Sequence, residues 1–254
     1  MVEIFFTKIL NADENVYKNL LKFLSPQRRE KCLSFRMKSD RLRCLYSALF
    51  LNYVLKKRMT EKPIFVYGKY GKPYIKNGGF WFNISHSGKY IALSFGDEES
   101  GIDIEKKEVS DINILKSCFT DLQWKNITES SLVHDEFYKN WTLKESFVKF
   151  LGEGLRMDIN SFEYENNNIF YKNMTYAYRY FDEINGYSMC CSCKSGNFGK
   201  DIKYVPQERL ISSYKIPTSV TYPSKFDFPK SFFNSFKILS SFFLILSFNF
   251  FKFL

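Results

Sequence analysis

The chain has no apolar stretch long enough to cross a bilayer. Its longest uncharged run, residues 238–251, is 14 residues and includes serine and asparagine, against the ~17–25 that a spanning helix needs. Its first residues, Met-Val-Glu-Ile-Phe-Phe-Thr-Lys, lack the charged-then-apolar layout of a secretory signal. Histidine is nearly absent, with two residues. Cys190-x-x-Cys193 is a formal C-x-x-C, but no second pair and no nearby histidine completes a zinc set, and the flanking Tyr187-Ser188-Met189 reads as strand. The cysteines Cys32, Cys44, Cys118, Cys190, Cys191 and Cys193 are therefore expected to be free thiols of a cytoplasmic protein.

What is present is ample core. The 254 residues are 45% hydrophobic and 25% charged, enough for one large domain or two small ones. The formal net charge of +10 invites a nucleic-acid reading, but from Lys200 onward the chain holds 8 Lys and Arg against 3 Asp and Glu, so half of the excess sits in the last fifth. The rest is mildly basic, which suits an anionic small molecule or an acidic protein partner at least as well as DNA.

Residues 2–10 read as a strand, and 15–23, 26–36 and 38–57 as helices. Tyr67-Gly68-Lys69-Tyr70-Gly71-Lys72-Pro73 reads as a turn-rich loop. Strands are expected at 80–85, 89–95 and 101–105, a helical run at 111–151 anchored by Trp124 and Trp141, and strands again from 158 to 205, with a hairpin signal at Asn185-Gly186. The order β, α, α, β, β and then α, α, β, β suggests two similar halves. Residues 226–254 differ in kind, holding 11 of the 28 phenylalanines. They read as an appendage, with a membrane-surface segment, a partner helix or a frame-shifted sequence as the other readings.

Two segments carry the chemistry. In Gly101-Ile102-Asp103-Ile104-Glu105 the acids alternate with isoleucines, so on a strand Asp103 and Glu105 share a face while Ile102 and Ile104 enter the core. Unpaired carboxylates in such surroundings are costly, and a bound cation removes that cost. In Trp141-Thr142-Leu143-Lys144-Glu145-Ser146-Phe147-Val148-Lys149, Glu145 and Lys149 are neighbours on one helix face, which by itself is equally the pattern of a surface salt bridge. Ser85 and His86 are adjacent on a strand and face opposite ways, which argues against a nucleophile–base pair. His86 suits a phosphate contact better, or is a structural histidine. Arg28, Lys31, Arg43 and Lys72 would bind several phosphates if the fold brought them together, and Lys72 is held on a stiff backbone by Pro73.

Together with Ser25-Pro26-Gln27-Arg28-Arg29-Glu30-Lys31-Cys32, Tyr70-Gly71-Lys72-Pro73 and Phe82-Asn83-Ile84-Ser85-His86-Ser87-Gly88, these segments resemble the 4′-phosphopantetheinyl transferases of the surfactin-synthetase-activating type, in order and spacing, over residues 1–210. The resemblance implies an α+β pseudo-dimer of two similar subdomains, residues 1–106 and 107–210, with the active site in the cleft between them and residues 211–254 as a tail outside the catalytic fold. It implies a magnesium-dependent enzyme that moves the phosphopantetheine arm of coenzyme A onto a serine of an apo acyl or peptidyl carrier protein and releases 3′,5′-ADP, as in the activation of antibiotic-forming synthetases. Asp103, Glu105 and Glu145 would hold the metal. Glu145 would also serve as base, and Lys149 would steady the leaving phosphate. Arg28, Lys31, Arg43, Lys72, Pro73, Ser85 and His86 would form the coenzyme A site, and residues 110–130 part of the carrier-docking surface. Arg28 stands where one member of the family carries lysine, and arginine keeps the charge. A monomer is expected, with no nucleic-acid partner. The rival readings are a coenzyme A- or nucleotide-binding module without catalysis, and a basic nucleic-acid or membrane-surface protein acting through the tail.

Overall fold

The computed structural model describes residues 1–10 and 12–214. Strand β1 (Val2–Lys8) leads into helices α1 (Glu14–Leu21), α2 (Pro26–Ser34) and α3 (Lys38–Arg58). Local signals set these starts. Asp13 accepts a hydrogen bond from Asn15 N (2.8 Å), and Ser25 accepts one from Arg28 N (3.2 Å) with Pro26 at the first helical position. A short ribbon follows, β2 (Phe65–Tyr67) and β3 (Pro73–Ile75), then β4 (Trp81–Ser87), β5 (Tyr90–Gly96) and β6 (Ser100–Lys106). The glycine-rich segment expected as a loop is thus the turn of a hairpin. The expected helical run at 111–151 is broken into a 3-10 turn at Ile112–Cys118, α4 (Asp121–Thr128) and α5 (Val133–Leu151). A capping box between Thr120 and Gln123 starts α4. Strands β7 (Glu163–Glu165), β8 (Asn168–Tyr171), β9 (Met174–Tyr180), β10 (Tyr187–Cys193) and β11 (Phe198–Tyr204) precede α6 (Gln207–Ser212).

The α+β expectation holds. One sheet has the order β11-β1-β5-β4 and the other β6-β10-β9-β8-β7. All pairings are antiparallel except β1 with β11. Side-chain alternation sorts the layers. Phe5, Phe82, Ile84 and Leu93 pack beneath α3. Val2, Ile4, Ile102, Ile104, Met189, Cys191 and Cys193 fill the space between the sheets. Cys190 points the other way, with Leu143, Phe147 and Tyr178 under α5. All six cysteines are free and buried.

The sheets divide the chain differently from halves cut at 106 and 210. Strand β6 belongs to the second sheet, while β11 pairs with β1 in the first. Leu210, Ile211 and Tyr214 join the core under α3, and Tyr214 Oη donates to the Leu49 carbonyl. Apolar burial therefore carries the first layer past the expected tail boundary, to at least Tyr214. The remainder of the expected tail, 215–254, lies outside the described residues. Among the described residues, no helix is long and apolar enough to cross a membrane.

Candidate active site

Helix α5 decides the chemistry. From Asn140 to Phe150 every residue is buried, although Thr142, Lys144, Glu145, Ser146 and Lys149 are polar. Buried polar groups need partners, and most have them. Thr142 and Ser146 reach Ser188 and Ser192 of β10 at 3.0 and 2.7 Å. Lys144 donates to the Ile159 carbonyl at 2.8 Å amid the rings of Phe119, Phe162 and Tyr164. Lys149 Nζ donates to Asp103 Oδ1 at 2.5 Å and to Ser85 Oγ at 3.0 Å. Glu145 Oε2 is buried and unpartnered, and so is Asp103 Oδ2.

The acids of β6 lie on a seam. Strands β4 and β6 are the edges of their respective sheets, and side chains join them. Asn83 Oδ1 accepts from Ile102 N (2.9 Å), Ser85 Oγ donates to Asp103 Oδ1 (2.8 Å), and Ser87 Oγ donates to Glu105 Oε2 (2.7 Å) while accepting from Lys106 N (3.0 Å). These serine contacts cover two edges that would otherwise expose unpaired backbone. They also present Asp103 and Glu105 on one face, as their spacing predicts.

Three of the expected cations, Arg28, Lys31 and Arg43, stand on α2 and α3 of the first layer. Arg28 donates to the Cys44 carbonyl (3.3 Å), joining α2 to α3, where the Cys32 and Cys44 thiols touch at 2.9 Å. Arg43 is paired with Asp40 (2.6 Å) and donates to the Gly88 carbonyl (3.1 Å) in the β4–β5 turn, two residues from His86. Alternation sends His86 to the side of Phe82 and Ile84 and Ser85 to the seam. Burial and then the neighbouring Arg28 charge hold the Lys31 amine below its ordinary range, a strain that an anion would relieve.

Two expected ligand contacts are placed elsewhere. Ser85 bonds to the acid–lysine cluster rather than joining the cations. Lys72 is buried against the end of α5, its Nζ 2.7 Å from both Glu99 Oε1 and the Phe150 carbonyl. Pro73 opens β3. Ser87 and Gly101 were missed by sequence reasoning. The signal was there in Ser85-x-Ser87, which repeats with the same two-residue period as Asp103-x-Glu105. A groove lined by Ser110, Asp111, Asn113, Leu132 and His134 overlaps residues 110–130, and Asp103, Glu105 and Glu145 are not part of its lining.

Burial pushes the Glu145 carboxyl up to about 7, with Asp103 adding to the shift and Lys149 opposing it. Loss of water and then the Asp103 charge push Glu105 up to about 8, against its bond from Ser87. Burial disfavours the charged form of Lys149, but Asp103 and then Glu145 hold its amine above the ordinary value. The donor set suits a hard dication, with carboxylate oxygens, two of them buried without partners. Among the described residues, however, no three His, Cys, Asp or Glu side chains are grouped closely enough to enclose a metal ion; Lys149 holds the place beside Asp103.

A pH dependence follows. Glu105 and Glu145 ordinarily titrate near 4.5, so folding favours their protonated forms. The stability they contribute is intact below the ordinary value and is lost as pH rises through about 7 and about 8. In chelator, the melting temperature should fall from about pH 5 to about pH 9, and added magnesium should recover more of it at the alkaline end. Thermal melts across that range check this; a flat profile, or a magnesium increment that does not grow with pH, contradicts it.

Residues 11–96 match the 4′-phosphopantetheinyl transferase N-terminal family and residues 99–188 the 4′-phosphopantetheinyl transferase superfamily. The chain is 30% identical over 221 residues to 4′-phosphopantetheinyl transferase Sfp of Bacillus subtilis (strain 168), covering 82% of this chain and 98% of that protein. It is 29% identical over 173 residues to 4′-phosphopantetheinyl transferase gsp of Aneurinibacillus migulanus, covering 66% of this chain and 73% of that one. It is also 37% identical over 97 residues to the human L-aminoadipate-semialdehyde dehydrogenase-phosphopantetheinyl transferase, covering 34% of this chain and 31% of that protein. With its acids on one strand and one buried helix, and its cations on the layer beside them, the chain belongs to the 4′-phosphopantetheinyl transferase superfamily.

Proposed function

We propose that this enzyme transfers the 4′-phosphopantetheine arm of coenzyme A to a serine of an apo acyl or peptidyl carrier protein, releasing 3′,5′-ADP. The observation that carries the reading is Glu145 Oε2, a buried carboxylate oxygen left without a partner in a helix whose neighbouring polar side chains are bonded. Arg28, Lys31, Arg43 and His86 bind the phosphates of the nucleotide. Glu145 accepts the proton of the carrier serine, directly or through water. The serine Oγ bonds to the phosphorus that bears pantetheine as the pyrophosphate P–O bond breaks, its electron pair leaving with 3′,5′-ADP. Lys149 stabilises the charge that grows on the departing phosphate, more in the transition state than in the ground state. Asp103, Glu105 and Glu145 stand too far apart among the described residues to enclose an ion, so they would hold magnesium only by drawing together as Lys149 leaves Asp103 for the phosphate, and the ion when bound would offset negative charge on the pyrophosphate oxygens.

The groove at Ser110–Asn113 and Leu132–His134, with Leu132 exposed in its wall and Ile114 exposed next to Asn113, supports carrier docking there. Carrier proteins of this kind are acidic, and the mildly basic surface would steer them in. Both halves of the site come from one chain, which supports a working monomer, and free buried thiols suit the cytoplasm.

Intact-mass measurement tests the reading. Purified protein, coenzyme A, magnesium and a panel of apo acyl and peptidyl carriers should yield at least one carrier heavier by one phosphopantetheine, and chelator should abolish the gain. No gain on any carrier overturns it.

A further inference from the structure

Lys72 lies in the turn between β2 and β3, far in sequence from the acids, yet it is only 8% exposed. Its stem crosses to the end of α5 and packs on Gly152, where an added Cβ would lie 2.9 Å from Lys72 Cδ. Gly152 has φ +68° and its N–H donates to the Val148 carbonyl at 3.0 Å, so it is the left-handed cap of α5. The Lys72 ammonium donates to the Phe150 carbonyl and to Glu99 Oε1, both at 2.7 Å. Phe150 follows Lys149 on α5, and Glu99 immediately precedes β6. The ammonium therefore satisfies a carbonyl of the last helical turn, one of the groups a helix leaves without an intrahelical donor, and complements the negative end of the helix dipole. The same atom ties that turn to the strand that carries Asp103 and Glu105. Burial lowers the Lys72 pKa, and the Glu99 charge opposes that shift.

Resting on the transferase reading above, we propose that Lys72 is a positioning residue: it clamps the C-terminal end of α5 to the start of β6 and so sets the approach of Lys149 to Asp103. Its amine is committed to this clamp rather than to the nucleotide, which is where the family resemblance would put it. Losing the clamp lets the helix end shift, and a misplacement on the order of 1 Å at a catalytic group costs about 100-fold in rate.

The test uses Lys72→Met and Glu99→Gln in the full chain, with Lys72→Arg as the conservative variant. Steady-state carrier modification should show kcat lowered about 10- to 100-fold in Lys72→Met, with KM for coenzyme A within about 2-fold. Glu99→Gln should lower kcat in the same direction, and the double variant should be no worse than Lys72→Met, because both act through one clamp. Lys72→Arg should recover most of the loss. Hydrogen exchange provides a readout independent of activity: the Gly152 amide should exchange at least about 10-fold faster in Lys72→Met. A raised KM for coenzyme A with unchanged kcat and unchanged exchange makes Lys72 a nucleotide contact and overturns the proposal, as does unchanged kinetics in both variants. If Lys72→Met does not fold, Glu99→Gln alone decides through its split between kcat and KM and its Gly152 exchange. If the wild type modifies no carrier, the transferase reading fails, while the exchange measurement still decides the clamp.

Discussion

Replacing Glu145 with glutamine is expected to lower carrier modification about 1,000-fold while leaving the fold intact. The two side chains have the same shape, so the packing of α5 between the sheet and its neighbours is kept. The charge is what changes. Glu145 is 2% exposed and its Oε2 has no partner, an expensive arrangement for a carboxylate that serves only as packing. Burial holds its pKa up to about 7, which places it near the range where a proton acceptor works best at neutral pH. Removing the acid removes the desolvation cost, so the melting temperature in chelator should stay level or rise at alkaline pH, and the magnesium-dependent gain in stability should shrink. Loss of activity without loss of stability separates this residue from an ordinary core position, where activity falls because the protein unfolds. Circular-dichroism melts beside the intact-mass assay make the comparison. A variant that transfers at the wild-type rate removes Glu145 from the mechanism.

The largest effect on stability is expected at a residue with no side chain. Gly101 is the second residue of the acid strand, and β6 there runs so close to α5 that an added Cβ would stand 2.1 Å from the Ser146 carbonyl oxygen and 2.3 Å from Phe150 N. Both atoms are backbone of a buried helix, so neither can step aside as a flexible side-chain end would. Gly101→Ala should therefore cost more than about 3 kcal/mol, a fall of about 6–12 °C in melting temperature for a chain of this size, or leave the protein insoluble. Any folded fraction should also be slow, because the strand and helix that hold Asp103 and Lys149 at 2.5 Å would be forced apart. Gly199 is the control. Its added Cβ would meet nothing closer than 3.4 Å, so Gly199→Ala should melt near the wild type. Equal behaviour of the two alanine variants would mean that the close approach of β6 to α5 is not what Gly101 provides.

Much of the site was legible before any coordinates. Two acids two apart on a strand share a face by geometry, and here both are met by serines of β4, themselves two apart. Glu145 and Lys149, four apart, lie on one side of a helix. Ser85 and His86, adjacent on β4, had to face opposite ways, and they do so between the seam and the cationic layer. Each of these follows from a period of 2.0 or 3.6 residues, which a sequence displays directly. The hairpin β2–β3 was less legible, because three-residue strands carry too short a pattern to separate from a loop.

The sequence by itself determined the mixed architecture, the faces on which the reactive side chains stand and the absence of a spanning segment among the apolar runs. Only the tertiary structure decided which of those faces meet. It paired β11 with β1, about 196 residues away in the chain, and so carried the end of the second half into the first layer. It buried α5 on all sides from Asn140 to Phe150, turning a common helix ion-pair pattern into a lysine bound to Asp103 and a glutamate with an empty oxygen. It also sent Lys72 to the end of that helix. The physical reason is that periodicity is local and is set by backbone geometry, whereas pairing partners are chosen by the burial of whole faces, and that choice depends on every other element of the chain at once.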